Sequence, residues 1–130
     1  MKSKTLISLP STILATLFAF SFVATAQGHE AVTGKASVYS DAYHGKKTAT
    51  GEVYDKNGLT AASNHFPLGS RVHVRHMQNG KHVVVRINDI QAKSNKHVLD
   101  LSRGAAAKLG VSTGHVPVEA KLVDEKEKQP

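Results

Sequence analysis

The chain has no cysteine and no tryptophan, and aromatic residues make up only 5% of its 130 positions. Without cysteine there is no disulfide framework and no thiol that could carry a lipid. The core must therefore rest on Val, Leu, Ala, Ile and a few aromatics. Long apolar runs are also scarce. The one dense run, Ile13 to Val23, is shorter than the roughly 20 residues that span a bilayer. Lys2 and Lys4 precede it and Ala24-Thr25-Ala26 follows it, the pattern of a cleaved secretory leader. Residues 1–26 are thus expected to be a signal peptide, with the mature chain starting at Gln27. The expected product is exported, periplasmic or secreted, not a lipoprotein, and has no stable membrane anchor.

Charge of one sign is also in short supply. Removing Lys2 and Lys4 from the 17 basic side chains leaves 15 against 10 acidic ones, a net charge of +5. A basic exported protein meets anionic surfaces such as the carboxylate-bearing cell wall. Nucleic acid is not an expected partner, because it lies on the other side of the membrane. The eight histidines show no H-x-H, H-x-x-x-H or H-E-x-x-H spacing, so neither a metal nor another cofactor is expected. His73 and His76 are spaced as on a helix but fall on an expected strand, where they point to opposite faces.

About a hundred residues remain after the leader, enough for one domain with a small core. Val72 and Val74, then Val83, Val85 and Ile87, alternate with polar residues at the period of half-buried strands. Asn79-Gly80 between them is a hairpin signal. A two-residue loop there pairs Gln78 with Lys81, Val74 with Val85, Val72 with Ile87 and His73 with Arg86. His73, Arg75 and Arg86 would then form an outward basic strip. Further strands are expected at Lys35 to Tyr39, Leu59 to Ala62, His97 to Leu101 and Val116 to Leu122. One helix is expected, with Ser102 as N-cap, Arg103 to Leu109 as body and Gly110 as stop. Gly104 weakens that helix. Many short strands and a stub helix describe a small β-barrel. Residues 27–31 form a short lead-in, 32–123 the domain, and 124–130 a charged, disordered tail.

Two carboxylates stand out. Glu52 closes Tyr43-His44-Gly45-Lys46-Lys47-Thr48-Ala49-Thr50-Gly51-Glu52, and Asp89 closes Val83-Val84-Val85-Arg86-Ile87-Asn88-Asp89. Two carboxylates facing one cleft are the usual equipment for breaking a glycosidic bond. Tyr39, Tyr43 and Tyr54 could face a sugar, since their rings both stack and hydrogen-bond. Packing at the barrel rim is the other reading of each.

In order along the chain come Gly34-Lys35-Ala36-Ser37-Val38-Tyr39, the His44 to Glu52 segment and Leu59-Thr60-Ala61-Ala62. Phe66-Pro67-Leu68-Gly69-Ser70, Asn79-Gly80, Val84 to Asp89 and Asp100-Leu101-Ser102 follow. This ordered set resembles the catalytic domain of the rare lipoprotein A family over residues 32 to 123. The resemblance implies a mainly β fold, a six-stranded double-psi β-barrel with one or two short helices, related to the first domain of expansins. It also implies a peptidoglycan lytic transglycosylase that cleaves MurNAc–GlcNAc linkages, with a preference for peptide-free glycan strands. Glycan strands are then the partner, and the chain is expected to act as a monomer. Glu52 matches the family's T-A-N-G-E motif with Thr50 in place of Asn, and Asp89 matches I-N-D-R-G-P. Asp89 is assigned as acid/base and Glu52 as its partner, with the reverse assignment open. Asp100, in a D-L-S element, could line the groove or serve the following helix.

Two departures from the family pattern matter. Ser63 stands where a His is usual, with His65 two residues on. Ile90-Gln91-Ala92 replaces Arg-Gly-Pro, which removes a cation beside Asp89 and changes its turn. Ser63, His65, Arg86 and Asp100 join Tyr43 and His44 as candidate substrate-binding residues. The alternative function is a non-catalytic, expansin-like wall-binding or wall-loosening module using the same groove and the basic strip.

Overall fold

The computed structural model describes residues 30–124. The expected leader, most of the short lead-in and all but the first residue of the expected tail lie outside the described residues. Six strands close into a ring: β1 (Val32–Val38), β2 (Thr60–Ala62), β3 (Arg71–His76), β4 (His82–Asp89), β5 (Leu99–Leu101) and β6 (His115–Leu122). Their order around the ring is β1-β5-β2-β4-β3-β6, so every strand has two neighbours. Pairs β1·β5 and β2·β4 are parallel, and the other four are antiparallel. This is the mainly β, six-stranded double-psi barrel that the family resemblance implies. Among the described residues one short helix, α1 (Arg103–Lys108), and a single 3-10 turn at Asp41–Tyr43 complete it. No helix among the described residues is long and apolar enough to cross a membrane.

The period-2 pattern does what it predicts. Val72, Val74, Val83, Val85 and Ile87 point inward with Leu99, Leu101, Val116, Val118 and Ala120, and α1 adds Ala105, Ala106 and Leu109. Each buried Val or Leu contributes roughly 1.5–3 kcal/mol, which is how a core without cysteine or tryptophan holds together.

The hairpin register is corrected. His76 N–H donates to Lys81 O (2.8 Å) and Gly80 N–H to His76 O (2.9 Å), leaving a four-residue loop from Met77 to Gly80. Val72 therefore opposes Val85, Val74 opposes Val83, and His73 opposes Val84, while Arg86 opposes Arg71. Asn79 is committed elsewhere. Its side chain accepts from Lys81 N (2.8 Å) and donates to Leu109 O (3.0 Å), tying the loop to the end of α1. The shift is two residues, so the inward set is preserved; a shift of one would have turned it out.

Two glycines explain element boundaries. β1 starts at Val32, ahead of the expected Lys35, because its ladder with β6 runs down to Val32 opposite Ala120, and Gly34 fits within it where a Cβ would come within 2.5 Å of Val98 Cγ2. Gly104 lets α1 sit directly on the Asn57-Gly58 backbone, where a Cβ would meet carbonyl oxygens at 2.7 and 2.8 Å. Ser102 caps the helix, its Oγ accepting from Ala105 N at 3.2 Å and donating to Gly58 O at 2.7 Å.

Candidate active site

The site is organised around Ala62. This residue of β2 is paired with Asp89 of β4 on one side and with Asp100 of β5 on the other. With strands about 4.8 Å apart, the two acids leave the sheet with their backbones roughly 9–10 Å apart. Asp89 is re-aimed by a bulge. Ala61 opposes Ile87 and Ala62 opposes Asp89, so Asn88 is the extra residue in β4. The end of β1 runs beside β5, where Ser37 pairs with Asp100. Together these ends form an open groove of about 410 Å³, lined by Ser37, Tyr39, Tyr43, Asp89, Ile90, Gln91, Asn95 and Asp100 among others.

Each groove carboxylate is held by neutral donors. Asp89 Oδ2 accepts from the Tyr39 hydroxyl, and Oδ1 accepts from the backbone N–H of Ala49 and of Ile90, both at 3.0 Å. Burial, followed by the hydrogen bond to Asp89 and its charge, pushes the Tyr39 phenol well above its ordinary value. Tyr39 therefore remains a donor. Its ring packs against Tyr54 (4.5 Å between centroids) and edge-on to Tyr43 (5.2 Å). Asp100 Oδ1 accepts from Ser37 Oγ and from Gln91 Nε2 (3.2 Å), and Oδ2 from Asn95 Nδ2 (3.0 Å). His97 Nδ1 stands 3.9 Å from Asp100 Oδ1. Of the two roles the sequence leaves open for Asp100, the structure favours the groove, since Ser102 caps the helix.

Glu52 is not among the residues that line this groove. It receives both terminal nitrogens of Arg86 (2.5 and 2.8 Å) and Asn88 Nδ2 (3.1 Å) on the outer face of β4. The Arg86 hydrogen bonds, aided by Asn88, hold its pKa below the ordinary 4.5. A carboxylate that remains ionised in this way is a poor proton donor near neutral pH. What Glu52 does is fasten the 47–53 loop to β4, and Thr50 N–H adds a bond to Asn88 O (3.3 Å). The same loop delivers Ala49 N–H to Asp89.

The remaining candidates divide. Tyr43 lines the groove and is half exposed. Tyr54 is 2% exposed and packs behind Tyr39, so the rim-packing reading holds for it. His44 is turned to the backbone, its Nδ1 accepting from Lys56 N at 3.1 Å. Ser63 is fully buried and structural: Oγ donates to Val98 O (2.9 Å) and accepts from His65 N (3.0 Å). His65 is exposed and outside the groove lining. Arg86 is committed to Glu52, and Arg75 to Glu119 (3.6 Å), so the outward basic strip is partly neutralised. Ser37, Asn95 and Gln91 as a groove residue escape sequence reasoning. Of these, Ser37 had a signal in its place one residue from the strand end, and Gln91 in its place two residues after Asp89, within the segment that departs from the family pattern. Among the described residues no three His, Asp or Glu side chains gather to hold a metal ion.

A double-psi barrel with two carboxylates on the strands that flank β2, both lining one groove, is thus the class that fold and site define. The sequence pattern described as lytic transglycolase matches residues 31–120, and the chain belongs to that family. It is 44% identical over 90 residues to the endolytic peptidoglycan transglycosylase RlpA of Neisseria meningitidis, covering 67% of this chain and 38% of the relative. It is 45% identical over 94 residues to the protein of the same name from Pseudomonas aeruginosa, covering 72% and 28%. The chain thus spans well under half the length of these curated relatives. Among solved structures, the Streptomyces papain inhibitor is similar over 77% of this chain and all of its own (TM-score 0.56, 25% identity). The Clavibacter michiganensis expansin is similar over 74% of this chain and 52% of its own (TM-score 0.58, 21% identity) and shares the fold.

Proposed function

We propose that the chain is a lytic transglycosylase of peptidoglycan glycan strands, with Asp89 as the proton-transferring residue. The observation that carries this is the pair Asp89 and Asp100 in one open groove, in a chain whose family and curated relatives bear that activity in their names. Protonated Asp89 gives its proton to the O4 of the departing N-acetylglucosamine as the muramyl C1–O4 bond breaks. The resulting carboxylate takes the proton of the muramyl 6-hydroxyl while O6 closes on C1. A 1,6-anhydro ring forms, no water is consumed, and Asp89 ends as it began. Asp100 faces the oxocarbenium-like charge that develops at C1. Tyr39 orients the Asp89 carboxyl, Tyr43 offers a ring to the sugar, and Glu52 acts through the loop that brings Ala49 N–H to Asp89. The reaction takes place outside the cytoplasm, a placement that rests on the leader pattern of residues 1–26.

Mass spectrometry of products from peptide-free strands tests this. The parent protein is expected to leave 1,6-anhydromuramyl ends, and Asp89→Asn and Asp100→Asn to lower the rate at least about a hundredfold, the low end for a general acid–base group and for an electrostatic stabiliser alike. Reducing ends would replace the reaction with hydrolysis at the same site. Intact strands retained by parent and variants alike would make the barrel a glycan-binding module.

A further inference from the structure

We propose that Gln91 is a positioning residue that fixes the Asp100 carboxylate in the groove while leaving its charge uncompensated. The inference rests on the proposed function for its catalytic meaning, and on the contacts of Gln91 for its substance. Gln91 is one of few buried polar residues among those described, at 6% exposure, and its side-chain amide and backbone N–H all have partners. Its N–H donates to Asn64 Oδ1 and its Oε1 accepts from Asn64 N, both at 3.0 Å, a reciprocal pair that clasps the 90–92 segment to the loop after β2. Its Nε2 donates to His97 O and to Asp100 Oδ1, both at 3.2 Å.

Those two bonds use both amide protons, and Asn64 uses the oxygen, so the network orients the amide in one sense. The consequence is chemical. Arginine at this place would pair with Asp100 and cancel the negative charge that the reaction needs. An amide steers the carboxylate as a donor and carries no charge at any pH. Asp100 has two further donors, Ser37 and Asn95. Gln91 also fixes the groove wall, through its reciprocal bonds to Asn64. With Gln91 turned inward, its neighbour Ile90 is left 57% exposed on the groove lining.

The closing experiment reads contact and reaction separately. In nitrogen-15 NMR of the folded chain, the Gln91 side-chain amide resonances are expected to move in Asp100→Asn and to stay in place in Glu52→Gln. If they do not respond to Asp100→Asn, the proposal is overturned, whatever the protein does to glycan. On peptide-free strands, Gln91→Met is expected to lower kcat about tenfold or more, the loss of one hydrogen bond to a charged group, with KM within about twofold. Gln91→Glu is expected to be equally impaired at neutral pH and to recover as acid protonates the new carboxyl, which then donates to Asp100. His97 and the stacked His115 (4.5 Å between ring centroids) face the same corner and are retained in every variant. A Gln91→Met protein with parental kcat, or a Gln91→Glu protein with the parental pH profile, overturns the proposal. A parent that yields no anhydro ends overturns the proposed function instead, and the NMR arm still decides whether Gln91 holds Asp100.

Discussion

Which carboxylate faces the groove is decided by single side chains. Glu52 and Asp89 are equally prominent in the sequence, yet one is gripped by a guanidinium and the other by a phenol and two backbone N–H groups. The difference has a measurable signature. The pKa of Glu52 is depressed, with Arg86 as the first cause, so its contribution to stability is present above the ordinary value. It is lost as pH falls through the lower folded value. Because the Glu52 side chain is 38% exposed, screening keeps the pair below about 1 kcal/mol. Melting curves from pH 7 to pH 3 are expected to show Glu52→Gln a few degrees below the parent at neutral pH. The two should converge as the pH falls through that lowered folded value. Asp41, whose pKa Arg103 lowers in the same way, retains its own acid-side slope in both proteins. Curves separated by the same amount at pH 7 and pH 3 would remove Glu52 from the acid response. The pairing was not legible beforehand, because Glu52 and Arg86 are 34 residues apart and meet only once the barrel closes. Asp100 was legible as a candidate, but the neutral donors that hold it come from β1 and from the loop before β5.

At the scale of elements, alternation revealed inward faces more reliably than pairings. Val72, Val74, Val83, Val85 and Ile87 are all inside, although the turn that joins their strands has four residues and not two. Side chains with period two survive a slip of two, and Asn79 spends its side chain on Leu109 and Lys81. Gly104 is the reverse case, a helix-weakening residue on propensity and a requirement on packing. Gly→Ala inside a helix normally gains about 0.5–1 kcal/mol. Here the new methyl group meets two backbone oxygens under 3 Å away, and overpacking of that kind costs about 1–3 kcal/mol. Gly104→Ala is therefore expected to lose stability, by roughly 1–2 kcal/mol in chemical denaturation. A gain would mean that the 57–58 turn yields freely.

For the whole molecule, closure is what turns six short strands into one fold. β6 completes the ring by pairing with β1 and with β3 and brings Val116, Val118 and Ala120 into the core. Deleting residues 115–122 would leave β1 and β3 with one partner each. The truncated chain is expected to show no cooperative thermal transition and no dispersed NMR spectrum; a sharp transition would show that the remaining strands suffice. The seam itself has an architectural consequence. β1 runs from Val32 toward the groove at Ser37, and β6 runs away from it, with His115 opposite Ser37 and Ala120 opposite Val32. Both ends of the barrel therefore emerge side by side at the pole away from the groove. The points of attachment before Val32 and after Leu122 thus lie behind the working face, so the barrel can serve as a head on chains of very different length.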